Sequence, residues 1–429
     1  MANNWNTLQD WDKKHVWHPF DLININQNLA VEKAQGCELF LDNGDVILDA
    51  IGSWWVNIHG HAHPEIASAI ASQAHNLEHV IFAGFTHKPA IELAKSLLDV
   101  TNMGFDKVFF SDNGSTAVEV ALKMSFQYWY NKNKPKTKIV AFENAYHGDT
   151  FGAMSVGGRS KFNEPFLPFL FDVQFIEIPT DDNIESLKIQ LIEICKNNDV
   201  AAFIFEPLVQ GAAGMQMYKA EHLSSLIEIV HQHEVLAIAD EVMTGFGRTG
   251  TIFASHQLSV NPDIICLSKG ITGGFLPLGI TLCADEIYQA FNTDNPYKIF
   301  FHGHSYTANP IVCAAANASL KLLLEPSCKL NIERISTKHT AFVQEISTQN
   351  WVKNARSCGT ILAIEFQTNT ASSYFNSLRD DLYHFFLEQK ILLRPLGNII
   401  YVIPPYVISD EQLERIYAAI RKSGELVVR

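Results

Sequence analysis

Short apolar runs bounded by glycine, proline and charged residues recur along the chain, each too short for a helix. Residues 235–240 and 263–269 are the clearest: each run reads as a buried parallel strand and then delivers a polar residue at its carboxyl end. In the first that residue is Asp240 or its neighbour Glu241; in the second it is Lys269, followed at once by Gly270. "KVFF", "KIVAFEN", "VQFIEIP" and "AAFIFEP" repeat the pattern, and helical stretches near 182–196 and 220–234 separate the later ones. Apolar strands alternating with helices of this length predict a doubly wound α/β sheet. Upstream, "GCELFLDNGDVILDA" alternates around Asn43-Gly44 and predicts a hairpin, and Pro64 predicts a helix start. From about Ile311 the pattern returns to mixed helix and strand and, joined by the N-terminal segment, predicts a second, smaller unit.

Length agrees with two units, since 429 residues exceed what one compact core holds. The division expected is an N-terminal segment 1–55, a large domain 56–310 and a small domain 311–429. Acidic residues outnumber basic ones, 46 to 32, for a formal charge of −14, and no basic stripe appears, which argues against a nucleic-acid partner. Seven scattered cysteines without a CxxC pair suggest a reducing cytosol. No apolar run approaches spanning length and residues 1–20 lack a signal core, so a cytoplasmic protein without a membrane partner is expected. His59, His61 and His63 alternate, as do His302 and His304, but no cysteine stands beside the triplet to complete a tetrahedral set, and no metal is expected.

Open parallel sheets bind ligands at the carboxyl ends of their strands, so an acid and a lysine there can converge on one small molecule. Pyridoxal phosphate requires an amine to hold its aldehyde, an anion beside its ring nitrogen and a phosphate cradle. Lys269 and Asp240 meet the first two needs; the bland alternatives are a solvated loop lysine and a turn cap. Asn113, Gly114, Ser115 and Thr116 open a helix after a strand, where free N–H groups favour an anion, although a plain N-cap explains Ser115 almost as well. Tyr146 follows a strand end, where an aromatic can stack on a ring. Arg248 lies in a Gly-rich loop and reads either as a cation near the site or as a structural ion pair. Arg394, beside a proline amid apolar residues, needs a partner: a substrate carboxylate or a structural salt bridge. Trp54 and Trp55 read as core plus surface or as a flat wall for an aliphatic ligand.

"ADEVMTGFGRTG" with "LSKGITGG" resembles the class III aminotransferases of fold type I, and the likeness runs over nearly the whole chain. The resemblance implies a large domain with a mostly parallel seven-stranded sheet, a smaller α+β domain formed by both termini, pyridoxal 5'-phosphate as cofactor, and a homodimer with shared active sites. It implies that Lys269, Asp240 and Tyr146 serve the cofactor, that Gly114 and Ser115 hold its phosphate, and that a loop with Gly303, His304, Ser305 and Thr307 completes the partner subunit's phosphate site. "YHG" at 146–148 is implied to shape a loop, and Glu206 of "EP" to support the site. The paired tryptophans, "WHPF" and "RPLGNIIYVIPPY" resemble the diaminopelargonate branch of biotin synthesis. That branch implies Trp54, Phe20, Tyr401, Arg248, Gly303 and Arg394 as substrate-binding, 8-amino-7-oxononanoate as acceptor and S-adenosylmethionine as amino donor. Phe20 stands where that branch commonly has tyrosine. "HGHSYT" with phenylalanine at that position resembles a subset thought to use lysine, which is the alternative donor. Met243, where ornithine and 4-aminobutyrate enzymes often carry glutamine, counts against those substrates; another ω-amino acid or diamine remains the rival.

Overall fold

A computed structural model describes residues 5–20, 28–369, 372 and 374–426. Its centre is a seven-stranded sheet in the order Phe105–Ser111, Gly279–Ala284, Ile264–Leu267, Leu236–Asp240, Val200–Phe205, Lys138–Phe142, Val173–Ile176. Pairing is parallel from Ile264–Leu267 to Val173–Ile176, and Gly279–Ala284 runs antiparallel to both its neighbours. Both faces are covered, which is why the strands read as continuous apolar runs. Ala237, Ala239, Ile265 and Leu267 enter one apolar core, whereas Leu236, Ile238, Ile264 and Cys266 enter another on the opposite face. That is the two-residue period of a strand buried on both sides.

Register then sets the position of the chemistry. Asp240 pairs with Cys266, three residues before Lys269, so acid and lysine emerge from the same edge of the sheet. The helix Gly114–Asn131 packs across the Ile264–Leu267 and Gly279–Ala284 strands and aims its N-terminus at that edge. Its cap is Asn113: Thr116 N–H donates to Asn113 Oδ1 at 3.0 Å, and Thr116 Oγ1 accepts from Asn113 N–H at 3.0 Å. This reciprocal box releases Ser115 from the capping role the sequence allowed it.

Glu38–Leu41 and Val46–Asp49 form the expected hairpin, and Ile391–Leu392 adds to it in parallel, Ile391 opposite Leu48. Chain from both termini therefore shares one small sheet. A separate three-stranded sheet contains Val352–Cys358, Ile361–Phe366 and Ile399–Val402. Arg394 and Tyr401 consequently do not share a strand pair. Tyr401 lies on the last strand of the three-stranded sheet, and Arg394 on the link between the two sheets. Among the described residues no single helix is long and apolar enough to cross a membrane.

Candidate active site

A cavity of about 430 Å³ opens at the carboxyl ends of the central strands, lined by Trp55, Ser115, Tyr146, Asp240, Met243 and Lys269 among others. Lys269 has a left-handed backbone, φ 49°. Burial pulls its amine down to about 8, against the opposing pull of Asp240 and Glu206. A lysine so placed has an appreciable free-amine fraction near neutral pH and can act as a nucleophile. Its Nζ sits 4.5 Å from the centre of the Trp55 ring.

Asp240 Oδ1 accepts from Val242 N–H at 3.1 Å, and His147 Nδ1–H donates to Oδ2 at 2.6 Å. Glu241 faces elsewhere: it accepts from Thr244 Oγ1, Ala254 N–H and Ser255 N–H, and fixes a loop. Asp240 is therefore the acid of the cavity. His147 is buried, and its Nε2 has no partner among the described residues. Its place behind Asp240 goes beyond the loop-shaping role expected of it. Glu206 also lines the cavity; burial raises its carboxyl to about 7, and it accepts from Tyr146 N–H at 3.0 Å and Gly211 N–H at 2.9 Å. Those bonds hold the backbone that carries the Tyr146 ring.

The other end of the cavity is an anion cradle. Gly114 and Ser115 open the helix, and the Ser115 hydroxyl accepts from Asp149 N–H at 3.2 Å. Gly148 has φ 127°, and a Cβ there would lie 2.0 Å from Ser115 Oγ, so only glycine lets the two loops close on each other. A softened lysine, a carboxylate fixed by histidine, an aromatic wall and a helix N-terminus together fit a phosphorylated pyridine aldehyde.

Residues 52–55 form a left-handed turn: φ is 55° at Gly52, 45° at Ser53, 71° at Trp54 and 74° at Trp55. Each non-glycine residue in that conformation costs roughly 1–2 kcal/mol, so the surroundings must hold it. The turn divides the two indoles. Trp55 is buried in the cavity wall, edge-on to Tyr401, whereas Trp54 is 39% exposed. Trp54 carries the Arg394 guanidinium 4.6 Å above its ring and Phe20 edge-on at 5.4 Å. Arg394 is half-buried and has no acidic partner among the described residues. Its structural salt bridge is therefore not found, and the cation stands open to a carboxylate.

Other residues expected at the site lie outside this cavity's lining. Arg248 does not line the cavity. Fully buried, it donates to the carbonyls of Trp55 and Asn57 at 3.0 Å and of Pro404 at 2.8 Å, so it clamps the backbone there and has no acidic partner among the described residues. Tyr401 is likewise buried and packs edge-on against Trp55. Gly303, His304 and Ser305 lie on a surface loop outside this chain's own cavity, with His304 Nε2 3.3 Å from Asp112. Trp55 and Val242, which do line it, were missed or passed over: an indole and a valine look like core in any sequence. Among the histidines singled out, His59 Nε2 donates to Ser319 O at 2.9 Å and burial pulls the ring down to about 4, while His61 bonds Asp49. No group of three or more possible metal ligands is assembled among the described residues.

The family model described as aminotransferase class-III matches residues 23–423. An adenosylmethionine-8-amino-7-oxononanoate aminotransferase from Synechococcus elongatus is 47% identical over 95% of this chain and 97% of the relative. A crystal structure of the protein of the same name from Methanocaldococcus jannaschii superposes with a TM-score of 0.92, at 34% identity over 98% of this chain and 99% of that one. An amine transaminase from an uncultivated Pseudomonas species, solved with pyridoxal phosphate bound, has a TM-score of 0.90 at 29% identity, covering 96% of this chain and 98% of that one.

Proposed function

The chain belongs to the class-III aminotransferases, fold type I enzymes dependent on pyridoxal phosphate, and from that premise we propose that it aminates 8-amino-7-oxononanoate to 7,8-diaminononanoate for biotin synthesis. When bound, the cofactor supplies an aldehyde to take up an amino group and a ring that accepts the electron pair released at the substrate carbon.

The residues divide that work. Lys269 Nζ would hold the cofactor's aldehyde and, as a free amine, would move the proton at the substrate's reacting carbon. Asp240 keeps the ring nitrogen protonated, and His147, donating to Asp240 Oδ2, fixes the carboxylate in that role. Tyr146 walls the ring, and Gly114 with Ser115 takes the phosphate. His304 and Ser305, on their exposed loop, are assigned to the phosphate site of the partner subunit in a homodimer, with Gly303 beside its substrate. Arg394 binds the distant carboxylate of the acceptor over Trp54, with Phe20 closing the outer edge. Tyr401 and Arg248 act indirectly, by holding Trp55 and the backbone around it. The domain map 1–55, 56–310 and 311–429 and a cytoplasmic setting complete the reading.

One observation carries the acceptor assignment: an arginine without an acidic partner among the described residues, on an indole at one end, and a lysine on the adjacent indole at the other suit a linear substrate with a far carboxylate. S-adenosylmethionine is the proposed donor, in keeping with the names of the relatives. Lysine is the second reading, favoured by Phe20, which offers Trp54 a ring edge and no hydroxyl. The test mixes holo-protein with each donor separately and follows the cofactor absorbance. Bleaching with S-adenosylmethionine supports the reading, bleaching with lysine alone moves the donor, and bleaching with neither sinks the assignment.

A further inference from the structure

We propose that the buried carboxylate of Asp49 is a positioning residue that holds the left-handed turn at 52–55 as a length gauge for the acceptor. The inference rests on the aminotransferase reading of the cavity and deepens it. Two neighbouring side chains touch the two ends of the site: the Trp55 ring lies under Lys269 Nζ, and the Trp54 ring under the Arg394 guanidinium. The distance between reacting carbon and distant carboxylate is thus set by how residues 54 and 55 diverge. In a right-handed turn the two indoles would leave the backbone along different directions, and the spacing would change.

Asp49 is fully buried, and its carboxylate is taken up by groups at and around this turn. Its Oδ1 accepts from Ile51 N–H at 3.1 Å, and its Oδ2 accepts from Ser53 Oγ at 2.7 Å and from His61 Nε2–H at 2.9 Å. Asn57 Nδ2 donates to His61 Nδ1 at 3.3 Å, which leaves the Nε2 proton for Asp49. Arg248 grips the far side through the Trp55 and Asn57 carbonyls, and Asn57 N–H closes the turn on Gly52 O at 3.0 Å. At Gly52 a Cβ would lie 2.7 Å from Asn57 O, so the turn has no room to open with a larger residue there. The alternating histidines therefore include one that serves the turn.

Two substitutions at Ser53 separate strain from bonding. Ser53→Ala and Ser53→Gly both delete the hydroxyl that Asp49 accepts from, but only glycine enters a φ of 45° freely. Acceptors one methylene shorter and longer than 8-amino-7-oxononanoate are compared by kcat/KM, and the near-UV circular dichroism of the tryptophans is recorded on the cofactor-free protein. A fitted pocket discriminates one methylene by about tenfold or more. The gauge predicts that Ser53→Ala and Asp49→Asn shrink that ratio to about threefold or less and alter the tryptophan signal, whereas Ser53→Gly keeps both near those of the unaltered protein. Equal behaviour of the alanine and glycine variants, or an unchanged tryptophan signal in Ser53→Ala, would overturn it. If the unaltered protein used none of these acceptors, the biotin reading would fall, while the spectra would still decide whether Asp49 holds the turn.

Discussion

At the scale of single residues, the account depends on a lysine made reactive by its surroundings. Burial pulls Lys269 down to about 8, so the free amine is the minor form below that pH and the major form above it. The rate at which the cofactor-free protein takes up pyridoxal phosphate should therefore rise with pH through an apparent value near 8, read from the growth of cofactor absorbance. Lys269→Ala should lose about 10⁴-fold or more in turnover while the protein stays folded. Arg394→Ala should raise the acceptor KM by about 10–100-fold, the worth of a charge-assisted hydrogen bond, with the donor half-reaction nearly unchanged. How much of this was legible depends on the residue. Lys269 and Asp240 stood out together because an acid and a lysine follow two apolar strands, at the carboxyl ends where parallel sheets bind ligands. Trp55 did not, because which of two adjacent indoles enters the cavity is decided by a left-handed turn that leaves no trace in hydrophobic pattern. Arg248 was hard to place for a related reason: its guanidinium nitrogens Nη1 and Nη2 reach three carbonyls from distant chain, and sequence spacing cannot count them.

At the scale of elements, strands were the most legible part of the chain. Leu236–Asp240 and Ile264–Leu267 lie within the runs first read as strands, because burial on both faces leaves a signal that sidedness cannot blur. Loops were less legible. The close approach of Gly148 to Ser115 joins two segments some thirty residues apart, and nothing local in either announces it. Gly148→Ala should weaken cofactor binding by at least about tenfold, because the Cβ would force the loop off the helix N-terminus; equilibrium dialysis against pyridoxal phosphate measures it. Gly148→Ala should leave the central sheet intact, since the clash is confined to the cavity rim.

At the scale of the whole molecule, the loop proposed to complete a partner's site is exposed at Gly303 and Ser305. Phe301 and Tyr306 flank that loop and are 70% and 64% exposed, and Phe85 is 61% exposed. Exposed aromatics in such number suit a covered interface better than a wet surface. In the proposed homodimer, Phe301→Asp should shift the protein toward monomer in sedimentation and weaken phosphate retention together, because one loop would serve both. The most direct test of the central claim is a single turnover. Protein loaded with the amine form of its cofactor is mixed with a slight excess of 8-amino-7-oxononanoate, and 7,8-diaminononanoate is counted by mass spectrometry. The account predicts close to one product per active site, with 2-oxoglutarate and pyruvate reacting far more slowly. No diamine, with rapid return of the cofactor's aldehyde form on either keto acid, would contradict it.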